Sequence, residues 1–294
     1  LSLIFGVTRV VNFAHGSFFM VGAYLAVTFY DRLGGGYLGF WGGALSPVIV
    51  VGVLGALIQI VILRRIYRAP ELLQLITTFG VVLVLKDVVL AVWGPEDRLG
   101  PRAPGLAGAV SILGKPFPEY DLLLLVLGPL VGVSVWLLLK RTDWGTRVRA
   151  ATEDRDMAAA LGINQALMFT GVFALGSLLA GLAGALALPR EPANLSMDLS
   201  IIADVFVVTV VGGLGSLPGA YVAAVIISVV KAWCIGLGDA RVFGVAFSFS
   251  KLTLVAEFIV MAIVLVIRPW GLFGTPQAPQ RIAAASILPL PVPD

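Results

Sequence analysis

The sequence predicts an all-α polytopic membrane protein with about eight transmembrane segments, some of them discontinuous. Of its 294 residues, 59% are hydrophobic and 13% are charged, whereas a soluble domain carries about 25% charged residues. Its mean hydropathy of +1.00 implies more apolar surface than one core of this size buries. The 34 glycines are typical of helices packed closely in a bilayer, where small residues let backbones approach.

Charge and rare residue types exclude several classes of function. The net charge is +3 and basic residues are thinly spread, which favours cytoplasmic loops that obey the positive-inside rule over nucleic-acid binding. The single cysteine, Cys234, excludes an internal disulfide and a Cys-based metal cluster. The single histidine, His15, lies in an apolar setting without a nucleophile beside it. We therefore expect neither a metal site nor catalytic residues.

The first apolar segment, residues 1–14, is shorter than the roughly 20 residues that a spanning helix needs. The chain opens with Leu1, and no basic region precedes the apolar residues, so this is not the pattern of a secretory signal. We expect an N-terminus that is truncated or mis-started, with an incomplete first span. Residues 12–16 interrupt the apolar pattern, which resumes at residues 18–30.

The remaining chain alternates apolar segments with loops. Arginines at 64–68 and basic residues across 140–166 predict that these two loops are cytoplasmic. The expected spans are residues 45–63, 72–93, 122–139, 167–188, the interrupted pair 201–211 and 220–233, and 253–267. The expected loops are a glycine-rich one at 34–43, an external loop or small lid at 94–121, and external loops at 189–200 and 234–250. Residues 1–274 are expected to form one transmembrane domain, followed by a disordered Pro/Ala-rich tail at 275–294.

Two apolar segments are broken in similar ways, at residues 12–16 and 212–219. Paired broken helices point to a substrate path in transporters, and polar groups at membrane depth usually face protein or water. A packing role is the alternative, with Asn12 capping a half-helix, His15 bonding to a backbone carbonyl, and the glycines forming a tight turn at the cytoplasmic mouth. The candidate path residues are Asn12, His15, Gly16, Gly212, Gly213, Gly215, Ser216 and, in the last span, Glu257.

Lys86 and Asp87 add two charges within a predicted span. Adjacent helical residues point about 100° apart, so they do not pair well with each other. We expect each to find a partner on a neighbouring helix or to reach the external rim.

A charged island at residues 149–162 stands out between two apolar spans. Asp154 is a good N-cap, the alanines that follow favour helix, and Gly162 is a plausible stop with Asn164 beyond it. So short a polar helix is not stable by propensity alone. It is either an amphipathic cytoplasmic loop or a docking element for another protein.

The blocks Arg149-Ala150-Ala151 and Ala158 to Asn164 resemble the cytoplasmic coupling loop of ATP-binding-cassette importer permeases. With Asn12-Phe13-Ala14-His15-Gly16, the glycine-rich block 212–220 and Arg268 to Gly274, the chain resembles the branched-chain amino-acid permease family, in its H-type, over residues 1–274. One departure is that the family's first transmembrane helix is largely missing.

That resemblance implies a permease subunit in the bacterial cytoplasmic membrane. Its implied partners are an M-type second permease, two ATPase subunits that use the ATP, and an extracytoplasmic substrate-binding protein. No cofactor is implied for this chain, which has no Walker-type motif. The resemblance assigns ATPase coupling to Arg149, Glu153, Asp154, Ala158, Ala159, Gly162 and Asn164.

Three alternatives remain open. A related importer for urea or short amides would have a narrow, polar path. An ion-coupled secondary transporter would need ionisable groups in its spans, for which Lys86, Asp87 and Glu257 are candidates. An intramembrane enzyme would need clustered His, Cys or paired carboxylates, which the sequence lacks.

Overall fold

A computed structural model of the chain describes residues 1–8, 12–66, 69–112, 114–242 and 245–274. The predicted tail at 275–294 lies outside this part of the chain. The helices in chain order are α1 (Ser2–Thr8), α2 (Ala14–Arg32), α3 (Gly36–Ile58), α4 (Arg64–Ile66), α5 (Glu71–Trp93), α6 (Glu119–Arg141), α7 (Asp143–Glu153), α8 (Arg155–Ala160), α9 (Gln165–Ala187), α10 (Met197–Gly212), α11 (Leu217–Leu237) and α12 (Thr253–Ile267).

The all-α polytopic prediction is confirmed, and the described helices follow the predicted apolar segments. Five helical stretches in the described chain are long and apolar enough to cross a membrane: the continuous helix containing α3, and α5, α6, α9 and α11. The shorter α12 is also apolar. The break between α1 and α2 and the break between α10 and α11 are the two predicted discontinuities.

The central core is built from α2, α3 and α9, which pack more extensively than any other helices. Glycines allow this close approach. A Cβ at Gly22 would collide with the backbone of Gly181, and one at Gly55 would collide with the Ser177 side chain. Phe18 and Phe173 meet edge to face at 5.8 Å in the same core. Small residues therefore set the distances between these helices.

A second packing unit consists of α10, α11 and α12. Val207 and Val211 on α10 pack with Ala223 and Ile227 on α11, and Val260 on α12 joins them. The spacing of three or four residues places each set on one helix face. The unit joins the central core through contacts between α10 and α2.

Two short antiparallel hairpins lie in the loops between spans. Strand β1 (Ala109–Ile112) pairs with β2 (Lys115–Pro118), and β3 (Asp239–Val242) pairs with β4 (Val245–Ser248). Both hairpins occupy segments that were predicted as external loops. The 3₁₀ turn Phe249–Leu252 connects the second hairpin to α12.

Helix α3 corrects the predicted boundary at its outer end. The expected glycine-rich loop at 34–43 is mostly helical, because α3 begins at Gly36 and only Gly34 and Gly35 remain in the turn. Phe40 is buried and packs edge to face on Tyr120 of α6 at 6.3 Å, a tertiary contact that stabilises helix here despite the glycines. At its inner end α3 continues into a π-helical turn, Gln59–Leu63.

Candidate functional site

Two adjoining cavities separate the middle of α6 from the other spans. Their volumes are about 600 and 430 Å³, within the usual range for sites that hold small molecules. Both are lined by Phe19, Leu179 and Ala183, so we treat them as one cleft. The cleft follows α6 from Leu124 near its outer end to Trp136 near its inner end.

The cleft exists because α6 stands away from the central core. Its cleft side carries little side-chain volume, at Gly128, Pro129 and Gly132. The facing side of α9 also carries small residues, such as Ala180. The opposite wall is completed by α1, α2, α10 and α11, mainly with Leu, Ile, Val and Ala side chains. Such a lining favours an apolar ligand group.

Two of the predicted path residues, His15 and Gly16, line the cleft. Gly16 also lies where a Cβ would collide with the carbonyl oxygen of Asp198, so it serves the packing of α2 on α10. The Nδ1 atom of His15 is buried and has no hydrogen-bond partner in the described chain. The structure therefore brings His15 to the candidate path without the carbonyl bond that the packing alternative assumed.

Asn12 has the capping geometry of the packing alternative. It is buried, and its Oδ1 accepts a hydrogen bond from the Ala14 amide at 3.1 Å, just where α2 begins. The expected interruption at 12–16 is shorter than predicted, because His15 and Gly16 already lie in the helix.

The glycine break is a tight turn between α10 and α11. Ser216 caps α11 by accepting a hydrogen bond from the Gly219 amide at 3.1 Å. A Cβ at Gly212 would collide with the Gly219 backbone, and one at Gly215 would come within 3.0 Å of Gly6. Gly213 has a φ of 101°. These four predicted residues thus shape backbone contacts, while Leu217 and Pro218, immediately after them, line the cleft.

Glu257 lies in a cluster of charges between α10, α11 and α12. The Lys231 ammonium is 2.8 Å from Asp204 and 2.6 Å from Glu257. Glu257 is 0% exposed, and its helix supplies none of the residues that line the two cavities. The structure therefore separates Glu257 from the other predicted path residues.

Lys231 is a functional candidate that sequence reasoning missed. A lysine within an apolar helix was the signal that could have identified it. Its partners lie 27 and 26 residues away in sequence, on other helices, so the sequence did not indicate the pairing. Lys86 also has a partner on another helix, as predicted, since its ammonium lies 3.9 Å from the buried Asp198 of α10.

The predicted coupling loop consists of α7, α8 and their connections. Thr142 caps α7 by accepting a hydrogen bond from the Gly145 amide at 3.1 Å. Arg149 donates to the carbonyl of Leu139 at the end of α6 and to the Thr146 hydroxyl at 3.2 Å. These contacts attach α7 to the inner end of the helix that forms one wall of the cleft.

The helix signals predicted at Asp154 and Gly162 are confirmed, and Asn164 supplies a further cap that was not predicted. Asp154 caps α8 by accepting from the Met157 amide at 2.9 Å, and Asn164 caps α9 by accepting from the Leu167 amide at 3.1 Å. Gly162 follows α8 with a φ of 80°, a conformation that glycine adopts readily. The loop is therefore a defined pair of short helices.

The exposed surface of the loop differs from the expected one. Glu153 and Ala159 are exposed, but Ala158 is 2% exposed because α8 packs against α9. Ala158, one of the predicted coupling residues, is therefore buried within the loop and not on its exposed surface. Met157 and Leu161, spaced four residues apart, are instead 58% and 73% exposed. These two apolar side chains were missed in the sequence.

No group of three or more His, Cys, Asp or Glu side chains that could hold a metal ion occurs in the part of the chain that the structure describes. The cleft and the loop define the candidate site.

Comparisons with known proteins agree on one family. A family model described as the branched-chain amino acid transport system permease component matches residues 1–267. The high-affinity branched-chain amino acid transport system permease protein BraD of Pseudomonas aeruginosa is 28% identical over 286 residues, covering 94% of this chain and 90% of the relative. The LivH permease protein of Escherichia coli is 24% identical, covering 94% and 89%.

A third relative matches over a similar length. The probable branched-chain amino acid transport permease protein LivH of Methanocaldococcus jannaschii is 30% identical over 291 residues, covering 93% of this chain and 86% of the relative. No solved structure matches the chain. With five helices able to span a bilayer, the chain is a multi-pass integral protein of the bacterial inner membrane.

Proposed function

We propose, because this chain belongs to the branched-chain amino acid transport permease family, that it is the membrane subunit of an ATP-binding-cassette importer for branched-chain amino acids. The relatives are named as permeases for these substrates. In this proposal the chain carries the substrate path, has no catalytic activity and binds no cofactor. Separate ATPase subunits hydrolyse ATP.

The observation that carries the proposal is the apolar cleft beside α6. Branched side chains lose contact with water when they enter a space lined by groups such as Val131, Leu179 and Ile201, and burial of each CH₂ contributes about 0.8 kcal/mol. Urea and short amides need polar partners instead, since a buried amide without hydrogen bonds is costly. The lining therefore favours branched-chain amino acids over the urea alternative.

The loop between α6 and α9 supports an ATP-driven mechanism. Met157 and Leu161 expose apolar surface on a short helix that is predicted to face the cytoplasm. Apolar groups at such a site gain stability when a partner covers them. We propose that the ATPase subunits contact this surface with Glu153 and Ala159, and that the attachment of α7 to α6 transmits the movement to the cleft.

The remaining partners in the proposal are an M-type second permease and an extracytoplasmic substrate-binding protein. Large apolar surfaces on α11 and α12, including Trp233 and Phe258, are exposed on the single chain. Lipid and the second permease are the surroundings that can accept such surfaces.

Asp204, Lys231 and Glu257 give one observation in favour of a second candidate, an ion-coupled transporter. Ionisable groups inside a membrane often mark ion pathways. Lys231 pairs with both carboxylates, however, and none of the three side chains lines either cavity. A structural cluster accounts for that arrangement without ion coupling.

The test is uptake by the reconstituted importer. The chain is purified with its proposed permease, ATPase and binding-protein partners and placed in proteoliposomes. Labelled leucine, isoleucine, valine and urea are then compared with internal ATP, without ATP, and with an imposed proton gradient. We expect ATP-dependent accumulation of the three amino acids. Urea accumulation would support the amide importer, and gradient-driven uptake without ATP would support the ion-coupled candidate.

A matched pair of variants tests whether the cleft is the path. Ala183→Trp fills the space where the two cavities join, so it should reduce leucine uptake at least tenfold without changing the amount of folded complex. Ala91→Trp adds the same volume at an exposed position of α5 and should leave uptake unchanged. Equal uptake by the two variants would exclude this cleft as the path.

A further inference from the structure

The outer mouth of the cleft carries an ion pair that joins its two walls. Arg190, just beyond α9, places its Nε 3.2 Å from the Asp121 carboxylate at the start of α6. Arg190 lines the outer cavity together with Glu191. Asp121 lies three residues before Leu124, so it shares the face of α6 that lines this cavity. Charges of both signs therefore meet where the apolar cleft opens outward.

A neighbouring hydrogen bond holds the two walls in register. The hydroxyl of Tyr120 donates to the carbonyl of Leu186 at 2.7 Å, which joins α6 to α9. The Tyr120 ring is buried and packs edge to face on Phe40 of α3 at 6.3 Å. Asp121, the next residue, is therefore presented from a fixed backbone.

The ion pair itself is open to exchange. Arg190 and Asp121 are 59% and 38% exposed in their side chains, and solvent-exposed pairs contribute only about 0–1 kcal/mol. A molecule that offers both a carboxylate and an ammonium can replace this contact with two similar ones. Arginine is suited to the carboxylate, because its planar guanidinium can bind both oxygens at once.

We propose that Arg190 and Asp121 bind the zwitterionic head of the amino acid at the outer mouth of the cleft, a subsite that deepens the proposed function and rests on it. The carboxylate of the ligand pairs with Arg190, and its ammonium pairs with Asp121, assisted by Glu191. The apolar side chain enters the cavity lined by Leu124, Leu127 and Leu182. Binding replaces the Arg190–Asp121 ion pair with two ion pairs to the ligand, and this removes one of the contacts between α6 and the end of α9.

The experiment measures ligand binding to the purified full chain in detergent by saturation-transfer NMR. Three probes are compared: L-leucine, 3-methylbutylamine, which lacks the carboxylate, and 4-methylpentanoate, which lacks the ammonium. Arg190→Gln should weaken leucine binding about 10- to 100-fold, the loss expected for a hydrogen bond to a charged group. It should not weaken the binding of 3-methylbutylamine, because Asp121 is then free of its internal partner. Asp121→Asn should weaken leucine binding similarly and should not weaken the binding of 4-methylpentanoate.

Two further variants separate recognition from structure. Arg190→Lys keeps the charge and should retain part of the binding. Arg102→Gln removes an exposed arginine of the same external region, outside the cleft lining, and should bind all three probes like the natural chain. The proposed subsite is contradicted if Arg190→Gln weakens the binding of leucine and of 3-methylbutylamine equally, or weakens the binding of neither. Leucine uptake by the natural complex tests the proposed function separately, so loss of the subsite with intact uptake leaves that function standing.

Discussion

The ammonium nitrogen of Lys231 lies 2.6 Å from the carboxylate of Glu257 inside the membrane-spanning part of the chain. The two residues join α11 to α12, and Asp204, 2.8 Å from the same ammonium, joins both to α10. All three stand on the faces that carry the apolar contacts of this unit, nearer the outer side than Val211 or Val264. The cluster therefore fixes the three helices relative to one another.

Replacing Lys231 with Met should destabilise the protein strongly. Both carboxylates lose their shared cation, and Glu257 is left fully buried with its charge unpaired. Breaking such a pair costs about 3–5 kcal/mol, with the lower end expected here because Lys231 is partly exposed. The measurement is the thermal unfolding midpoint in detergent. Lys251→Met, at an exposed lysine, is the control, and equal midpoints for the two variants would contradict a structural role.

Glu257→Gln should have a milder effect than Lys231→Met. The ammonium keeps its contact with Asp204 at 2.8 Å, and an uncharged side chain is less costly to bury than a carboxylate. Since Glu257 lies apart from the cleft, uptake for each folded complex should remain within about twofold of the natural protein, a difference of under 1 kcal/mol. The assay is ATP-driven leucine uptake at several pH values. Complete loss of uptake with an altered pH profile would favour ion coupling.

Much of the fold was predictable because the signals were local. The apolar runs predicted the spans, Asp154 predicted where α8 begins, and Gly162 predicted where it ends. The boundary at Gly36 was missed because glycine usually weakens a helix, while here the aromatic residues of α3 pack on neighbouring elements. Tertiary contact outweighed local propensity at this point.

The candidate site was less predictable, because it depends on distant contacts. Gly128 and Gly132 resemble any glycines of a membrane helix, yet they create room beside α6. Lys231 and Arg190 acquire their partners from other helices. Gln59 is buried in the π-helical turn, and its amide has no hydrogen-bond partner in the described chain. Its burial could not be predicted from helical periodicity, because the π-helical turn departs from that period.

Gly184→Ala should prevent stable packing of α9 on α2. A Cβ at this position would collide with the carbonyl oxygen of Phe19, a backbone atom that cannot rotate away. The expected loss of stability exceeds the roughly 1–3 kcal/mol typical of overpacked cores. Gly80→Ala is the matched control, because nothing lies within 4 Å of a Cβ added there. Thermal unfolding of both variants measures the difference, and similar midpoints would argue against this packing.

The membrane orientation predicts which cysteines can be labelled from each side. In a Cys234→Ser background, Asp143→Cys at the start of α7 should react with an impermeant maleimide only when the cytoplasmic side is accessible, since basic loops remain inside. Lys115→Cys, in the first hairpin, should react only from outside. Both positions are exposed. Labelling of Asp143→Cys in intact cells would show that the chain has the opposite orientation. The coupling loop would then lie on the external side of the membrane.

The turn at Gly162 provides the most direct test of coupling. A side chain at its φ of 80° costs roughly 1–2 kcal/mol of backbone strain, although nothing lies within 4 Å of an added Cβ. Gly162→Val should therefore displace the adjacent Leu161 from its exposed position without disturbing the core. We expect folded complexes that hydrolyse ATP but import at least tenfold less leucine per ATP. Gly80→Ala is the control for a substitution at a glycine with open space around it. Normal coupling of uptake to ATP hydrolysis in Gly162→Val would exclude this loop as the connection between the ATPase subunits and the cleft.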